Sequence, residues 1–350
     1  MSSMLQDISE IGTSLNALST MINEIEELGS RYRNVSRVFL VGAGSSYYAS
    51  MYAASHALHA KLSKCTYALP SSEFLFNYSR IINSSDLVIA VSRSGETAET
   101  LEALSRAKAN GAATVMLSIS RGGGLGFIDN YLTLNIGPER SLVMTKSFVA
   151  LSAAALVLMG SILNINVNYG ESMKALVDCI NRLLNNSELV GRLSETVGEW
   201  VNASISRFVF LGHGSSYPLA LESALKFQET SYAATQALNT LEFRHGPVAT
   251  IGERQVVVII NQVNSMSDAA NRLFHELSDR SKGTDTRILM VTNSNAKGNG
   301  IINVECETGL EEFDALALIT PIYLLAYYNA VKRGIDTEKP RGLVRVVKNF

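Results

Sequence analysis

The chain has 350 residues, 47% of them hydrophobic, which is enough for a large core and suggests two domains. Its formal net charge is −2 and no stripe of Lys or Arg is present, which argues against a nucleic-acid partner. The three cysteines (Cys65, Cys179 and Cys306) are far apart in the sequence, so we expect buried thiols, no disulfide and a reducing, cytoplasmic location.

The N-terminal segment 1–30 predicts one or two extra helices. It lacks a basic start followed by an apolar core, so we do not expect a signal peptide. Two apolar stretches, 148–165 and 315–331, are borderline in length for a membrane span and rich in Ala, Ser or Tyr. We interpret both as helices buried inside an α/β protein, with no membrane partner.

One pattern occurs twice along the chain. Residues 37–47 (RVFLVGAGSSY) match residues 207–217 (RFVFLGHGSSY) at an offset of 170 positions. The same shift moves LVIAVSRSG (87–95) onto VVIINQVNS (257–265), and the long apolar helices also recur. Three matched features in one order indicate an internal duplication.

Each half alternates short apolar strands with helices, which predicts a parallel sheet covered on both faces. One predicted helix spans 97–111 and ends at Gly111. The fold class is therefore α/β, with two doubly wound, flavodoxin-like domains related by duplication. We expect an N-terminal helical segment at 1–30, domains at 31–165 and 201–335, a helical linker at 166–200 and a tail at 336–350.

Two hydroxyl-rich turns follow predicted strands. GAGSS (42–46) lacks the third glycine and the later acidic residue of a dinucleotide site, so NAD is not expected. Taken alone, this turn could equally be a serine-capped βα turn. SRSGET (92–97) follows the next strand, and a role in capping explains only one of its hydroxyls. Because ligands bind at the carboxyl ends of parallel strands, we expect a phosphate to be held by a set of hydroxyls: Ser46, Ser92, Ser94 and Thr97. The QVNS sequence in the second half predicts that this role was lost there.

Candidate catalytic residues lie in the second half. Glu222, Lys226 and Glu229 share one face of the helix 218–230, and this face could be either solvated or functional. The otherwise apolar helix favours function. His245, in the turn LEFRHGP, suits a general acid or base, although a lone histidine is more often structural. His56 and His59 share a helix face without further ligands, so no metal is expected.

The ordered motifs GxGSS, SxSGET, TKSF (145–148), GHGSSYPxALExALKxxE, EFRHGP and KPRGL resemble the sugar isomerase (SIS) family. The similarity covers residues 35–350. Within the family, it is strongest to the double-SIS isomerase domains of glucosamine-6-phosphate synthases and to stand-alone glucosamine-6-phosphate deaminases.

The resemblance implies a role for each matching residue. Glu229 would move a proton between C1 and C2, Lys226 would assist it, and His245 would open the sugar ring from the neighbouring subunit of a homodimer. Glu139 and Lys146 match a loop that closes over the sugar, although Met144 stands where a serine is usual. The implied substrate- and phosphate-binding residues are Ser45, Ser46, Ser92, Arg93, Ser94, Thr97, Glu139 and Lys146, and the family usually has Gln at the position of Arg93.

Two departures bear on the reaction that the resemblance implies. The chain begins MSSML, so no N-terminal glutaminase domain is expected. Arg345 occupies the position of the lysine that forms a Schiff base in the synthases, and Lys348 is the nearest substitute. An arginine does not form an imine, because it stays protonated.

These departures favour an isomerase that acts as a glucosamine-6-phosphate deaminase, releasing fructose 6-phosphate and ammonia without a cofactor or metal. The alternatives are the isomerase half of a glutamine–fructose-6-phosphate aminotransferase system, another phosphosugar isomerase or deglycase, and a non-catalytic regulator that binds a sugar phosphate.

Overall fold

The computed structural model describes residues 2–59, 64–123 and 126–349. Within them, two five-stranded sheets are parallel throughout, with the orders β2-β1-β3-β4-β5 and β10-β9-β8-β6-β7. The strands of the first sheet are β1 (Arg37–Gly42), β2 (Cys65–Pro70), β3 (Asp86–Ser92), β4 (Ala113–Ser118) and β5 (Asn130–Thr133). Those of the second are β6 (Arg207–Gly212), β7 (Ala234–Asn239), β8 (Gln255–Asn261), β9 (Thr286–Thr292) and β10 (Ile301–Asn303).

Both sheets have a doubly wound order: β1 lies between β2 and β3 in the first sheet, and β6 lies between β7 and β8 in the second. All seven residues of β3 and of β8 are buried, because helices cover both faces of these central strands. The edge strands β2 and β7 alternate in exposure instead. The predicted fold class, two duplicated α/β domains, is confirmed.

The helices of the first half are α1 (Ser3–Ser9), α2 (Ile11–Ser19), α3 (Ile22–Ser30), α4 (Ser45–His59), α5 (Ser71–Glu73), α6 (Ala98–Ala109) and α7 (Lys146–Ile162). Those of the second half are α8 (Tyr169–Asn185), α9 (Ser187–Asn202), α10 (Ser216–Ser231), α11 (Ser267–Arg280), α12 (Glu311–Ala317) and α13 (Ile319–Lys332). Gly111, just beyond α6, has φ +89° and supports the predicted helix end.

The two apolar stretches form core helices. Every residue of α7 is buried. Residues 311–332 are long and apolar enough to cross a membrane by composition alone, but 78% of their most apolar window is buried by the protein itself. Packing in the core therefore accounts for their hydrophobic character.

The chain divides into two compact units. The first unit holds the first sheet, α3–α7 and the segment from Val344 onward. The second unit holds α1, α8–α13, the second sheet and residues 140–143. The residue limits predicted for the two domains, the linker and the tail remain predictions.

The expectation of buried thiols without a disulfide is wrong. Cys179 of α8 and Cys306, which follows β10, form a disulfide with their Cα atoms 5.3 Å apart. Cys65 is an exposed thiol at the start of β2. The 127 residues between Cys179 and Cys306 concealed their proximity, because the fold brings α8 beside the segment that follows β10.

The strand registers refine the duplication. Arg37 pairs with Asp86 in the first sheet, and Arg207 pairs with Gln255 in the second. The connection is one residue shorter in the second half, so the offset at this strand is 169 rather than the predicted 170. Gln262 is therefore the counterpart of Arg93.

Candidate functional site

The turn after β1 brings backbone close to backbone. A Cβ at Gly42 would lie 2.6 Å from the carbonyl carbon of Ser46, and Gly44 has φ +54°. Glycine is needed at both positions for these reasons. Ser45 and Ser46 are buried at the start of α4. The sequence thus forms a tight βα turn, with two serines at the helix N-terminus.

The turn after β3 carries the other predicted hydroxyls. The Ser92 Oγ accepts a hydrogen bond from the Gly95 N–H (3.0 Å), and the Ser94 Oγ accepts one from the Glu96 N–H (3.1 Å). Thr97 precedes α6 but makes no capping bond with its side chain. The two serine hydroxyls stabilise the turn by accepting hydrogen bonds, which leaves their hydrogens to donate to an anion. Because β1 and β3 are neighbours in parallel, both turns lie at the same edge of the first sheet.

Glu139 is the centre of a hydrogen-bond network in the first unit. One carboxylate oxygen accepts from the backbone N–H of Thr145 (2.8 Å) and of Ser147 (3.1 Å). The other accepts from the Ser147 Oγ (2.5 Å) and from Arg93 (3.2 Å). This buried carboxylate therefore fixes the start of α7, where Lys146 is also buried.

Arg93 and Arg345 are linked through this network. Arg93 donates to the Arg345 carbonyl oxygen (3.1 Å), and Arg345 donates to the Glu139 carbonyl oxygen (2.5 Å). Both arginines stand at positions where the chain departs from the family pattern. Their contacts join both residues to Glu139 in one network.

The C-terminal segment 344–349 lies against the start of α6 within the first unit. The Val347 carbonyl oxygen accepts from the Ala98 N–H (3.1 Å), one of the donors that a helix leaves unpaired at its N-terminus. Lys348 is exposed and forms an ion pair with Glu96 (3.2 Å). The segment is thus anchored to the residues that follow the Ser92–Thr97 turn.

The three charged residues of α10 form one cluster in the second unit. Lys226 is fully buried and forms ion pairs with Glu222, at 3.3 Å, and with Glu229. The Tyr323 hydroxyl donates to Glu222 (3.3 Å), whose side chain is also fully buried. Glu229 keeps 18% of its side chain exposed. The structure therefore excludes the solvated salt-bridge face and leaves one carboxylate accessible.

The electrostatics of the cluster keep Lys226 charged. Burial alone lowers the pKa of its ammonium group, but the charges of Glu222 and Glu229 outweigh burial, so the pKa is raised from its ordinary value. Lys226 is therefore placed to act on Glu229 or on a negative charge that develops in a substrate.

His245 lies in an exposed turn of the second unit. It follows the 3-10 helix at 240–244, and its backbone N–H donates to the Glu242 carbonyl oxygen (3.0 Å). The next residue, Gly246, has φ +116°, which favours glycine. The described contacts include no hydrogen bond between the His245 ring and Glu229 or Lys226.

In the second half, the turns that correspond to GAGSS and SRSGET are occupied by their own side chains. The hydroxyls of Ser215 and Ser216 both donate to the Gln262 Oε1 (3.0 and 3.1 Å), and the Gln262 Nε2 donates to Glu311 (2.9 Å). His213 is buried between Thr240 and Asn264, at 3.2 Å from each. An amide oxygen thus occupies the donors that would face an anion, which agrees with the predicted loss of phosphate binding.

Among the residues that the structure describes, no group of three or more His, Cys, Asp or Glu side chains is placed to hold a metal ion. The His56 ring forms a hydrogen bond with the Tyr169 hydroxyl (2.9 Å) and is buried, while the side chain of His59 lies outside the described residues.

Sequence reasoning missed two contributors to these clusters, Tyr323 and Ser147. Tyr323 lies inside an apolar stretch that was interpreted only as core. Ser147 lies within the TKSF motif and received no role. The helix spacing did single out Glu222, but only the structure shows that Lys226 is shared between two carboxylates.

Comparisons with known proteins agree with this architecture. A curated relative, a glutamine–fructose-6-phosphate aminotransferase of Sulfurisphaera tokodaii, is 28% identical over 98% of this chain and 56% of its own length. The chain thus spans about half the length of the curated relatives it matches. A solved glucosamine-6-phosphate deaminase of Thermotoga maritima is 26% identical, with a TM-score of 0.73 over 96% of this chain and 99% of that one.

A further solved structure shares the fold. The tagatose-6-phosphate ketose/aldose isomerase of Escherichia coli has a TM-score of 0.81 at 20% identity, covering 96% of this chain and 95% of that one. The model of the SIS domain matches residues 31–159 and 203–297, one segment in each half. Since these segments make up more than half of the sequence, the chain belongs to the SIS domain family, as its motifs predicted.

Proposed function

We propose that this protein is an enzyme that converts glucosamine 6-phosphate and water into fructose 6-phosphate and ammonia. The observation that carries the proposal is the α10 cluster, in which a buried, charged Lys226 lies beside the accessible carboxylate of Glu229. A charged cluster of this kind costs free energy to bury, so its presence in an apolar helix favours a catalytic role.

The proposed reaction gives His245 and Glu229 one proton transfer each, and gives Lys226 an electrostatic role. His245 opens the pyranose ring by moving a proton between O5 and O1. Glu229 removes the proton from C2, an enolamine forms, and the proton returns to C1. The resulting C2 imine is hydrolysed by water, which gives the ketose and ammonia. Lys226 stabilises the negative charge that develops during this transfer.

The turns of the first unit supply binding for the phosphate of the substrate. The hydroxyls of Ser46, Ser92, Ser94 and Thr97 donate to it, and Arg93 adds positive charge to the same turn. Binding at this unreactive end lets interaction energy orient the carbon atoms that react. Ser45, Glu139 and Lys146 support the binding site through the starts of α4 and α7.

The tail supports a deaminase over a glutamine-dependent synthase. Arg345 is bonded to the Glu139 carbonyl oxygen, and its guanidinium cannot form an imine with a ketose. Lys348 is exposed and paired with Glu96, a position that does not support its use as a substitute. The chain also resembles a solved glucosamine-6-phosphate deaminase of Thermotoga maritima, at 26% identity.

The direct test is to incubate the purified protein with glucosamine 6-phosphate and to measure ammonia and fructose 6-phosphate together. We expect both products at equal rates. If no product forms while glucosamine 6-phosphate still raises the melting temperature, the deaminase proposal is wrong. Assays with other ketose phosphates and with amine-linked sugar 6-phosphates then distinguish another isomerase or a deglycase from a regulator that only binds its ligand.

A further inference from the structure

A concave site lies in the second unit, and its lining does not include the residues proposed for catalysis. Its volume is about 450 Å³, within the range of small-molecule sites. One wall comes from α8 and α9, and the other from the edge strand β10 and the loop before it. Neither Lys226, Glu229 nor His245 lines it.

The lining of this cleft carries an excess of positive charge. Arg182, Arg192 and Lys297 line it, against a single carboxylate, Glu305. Arg182 makes only long contacts, to the Glu305 carbonyl oxygen (3.5 Å) and to the Cys179 Sγ (3.6 Å). Arg192 and Lys297 form no ion pair with any residue that the structure describes. All three cations are exposed side chains at the cleft.

Covalent and hydrogen bonds hold the walls in place. The disulfide between Cys179 and Cys306 joins α8, which carries Arg182, to the segment after β10. Asn186 lies at the junction of α8 and α9, and its side chain accepts from the Leu189 N–H (3.0 Å). The backbone that carries Arg182 is therefore fixed before a ligand enters the cleft, which lowers the entropy lost on binding.

We propose that this cleft binds an organic anion with two or more phosphate groups, such as a nucleoside diphosphate. Guanidinium groups bind phosphate oxygens in pairs, and three cations exceed what a single monophosphate needs. The apolar part of the lining provides contact for an organic group: Leu183, Leu189, Ile301 and Val304. The proposal does not depend on the reaction proposed above.

The test is calorimetric titration of the full-length, oxidised protein with ADP at about 0.15 M ionic strength. We expect binding, and we expect the double variant Arg182→Gln/Arg192→Gln to weaken it at least ~10-fold through loss of charge-assisted contacts. Lys174→Gln is the matched control, because Lys174 is exposed on α8 but does not line the cleft.

Each result decides the proposal. Loss of affinity in the double variant, with the control unchanged and circular dichroism showing that the variant is folded, supports it. Equal affinity in wild type and double variant overturns it, because ADP would then bind elsewhere. Absence of ADP binding to the wild-type protein at millimolar concentration also overturns it. If the double variant does not fold, Lys297→Gln replaces it, and unchanged affinity in that variant has the same meaning.

Discussion

At the scale of single residues, the charged cluster of α10 is centred on Lys226. Its ammonium group is shared between a fully buried carboxylate, Glu222, and a partly exposed one, Glu229. The buried carboxylate of Glu222 balances the positive charge of Lys226 and accepts a hydrogen bond from the Tyr323 hydroxyl. The carboxylate of Glu229 is the one that is accessible to a substrate. This asymmetry supports the proposed proton transfer by Glu229 and makes Glu222 a candidate positioning residue.

The change Glu229→Gln is expected to abolish the release of ammonia and to leave substrate binding intact. Glutamine keeps the size of the side chain but cannot take up a proton. The turnover rate should fall at least ~100-fold, measured by coupled ammonia assay, with ligand-induced thermal shifts for binding. Glu195→Gln, on the exposed side of α9, is the control. Retained activity in Glu229→Gln would refute the proposed mechanism.

The change Lys226→Met is expected to destabilise the fold, because it leaves Glu222 buried without its cation. Removing one partner of a buried ion pair typically costs ~3–5 kcal/mol in the free energy of unfolding. Urea denaturation would measure this loss. The double variant Glu222→Gln/Lys226→Met should recover part of it, since no buried charge remains at Glu222. Equal stability of the two variants would contradict this account.

Because the His213 ring is buried, we expect the stability of the folded protein to depend on pH. Burial lowers its pKa from the ordinary value, and the contacts with Asn264 and Glu311 offset this only in part. The unfolded chain therefore binds a proton more readily as the pH falls below about 6.5, so the stabilisation by neutral His213 is present above that pH and lost below it. Melting temperatures from pH 7.5 to 5.5 should fall less steeply in His213→Gln than in wild type. Parallel curves would contradict the prediction.

At the scale of elements, the segment 344–349 and α6 form one structural group within the first unit. The Ala98 N–H donates to the Val347 carbonyl oxygen, and Arg93 holds the Arg345 carbonyl oxygen. Truncation after Leu343 should therefore expose the Ala98 amide. Hydrogen exchange at Ala98 should accelerate in the truncated chain and, to a lesser degree, in Arg93→Gln. The Gly111 amide, bonded to Lys108 at the far end of α6, serves as the internal control.

Local patterns predicted most elements of this fold. The runs at 38–41 and 87–91 indicated parallel strands because they are continuously apolar, and both are buried. The duplication followed from three matched features in one order, but the predicted offset was wrong by one residue at β8. Motif letters do not reveal a one-residue difference in loop length, whereas strand register does.

At the scale of the whole molecule, the failures of sequence reasoning concern contacts between distant segments. Cys179 and Cys306 lie on elements that only the folded chain brings together. The same holds for Glu222 and Tyr323, and for Arg93 and Arg345. Residue spacing predicts which face of a helix a side chain occupies, but the partner on that face is set by the tertiary fold. The sequence could therefore nominate candidate residues, whose roles stay predictions, but it could not predict their contact networks.

The proposed homodimer makes the last prediction, which concerns two copies of the chain. His245 is exposed, and the family resemblance implies that it serves the active site of the neighbouring subunit. Glu229→Gln and His245→Asn should each be inactive alone. After they are unfolded together and refolded as a mixture, half of the dimers contain one copy of each variant, and each such dimer has one site with an intact Glu229 and an intact His245. Activity should then return to about a quarter of the wild-type value.

The control for this experiment is each variant refolded alone, which should stay inactive. Size-exclusion chromatography of the mixture establishes that dimers have formed. If dimers form and the mixture stays inactive, His245 acts on the Glu229 of its own chain or not at all. Complementation therefore tests both the dimer and the origin of the histidine, because only a site shared between two chains can recover activity from two inactive variants.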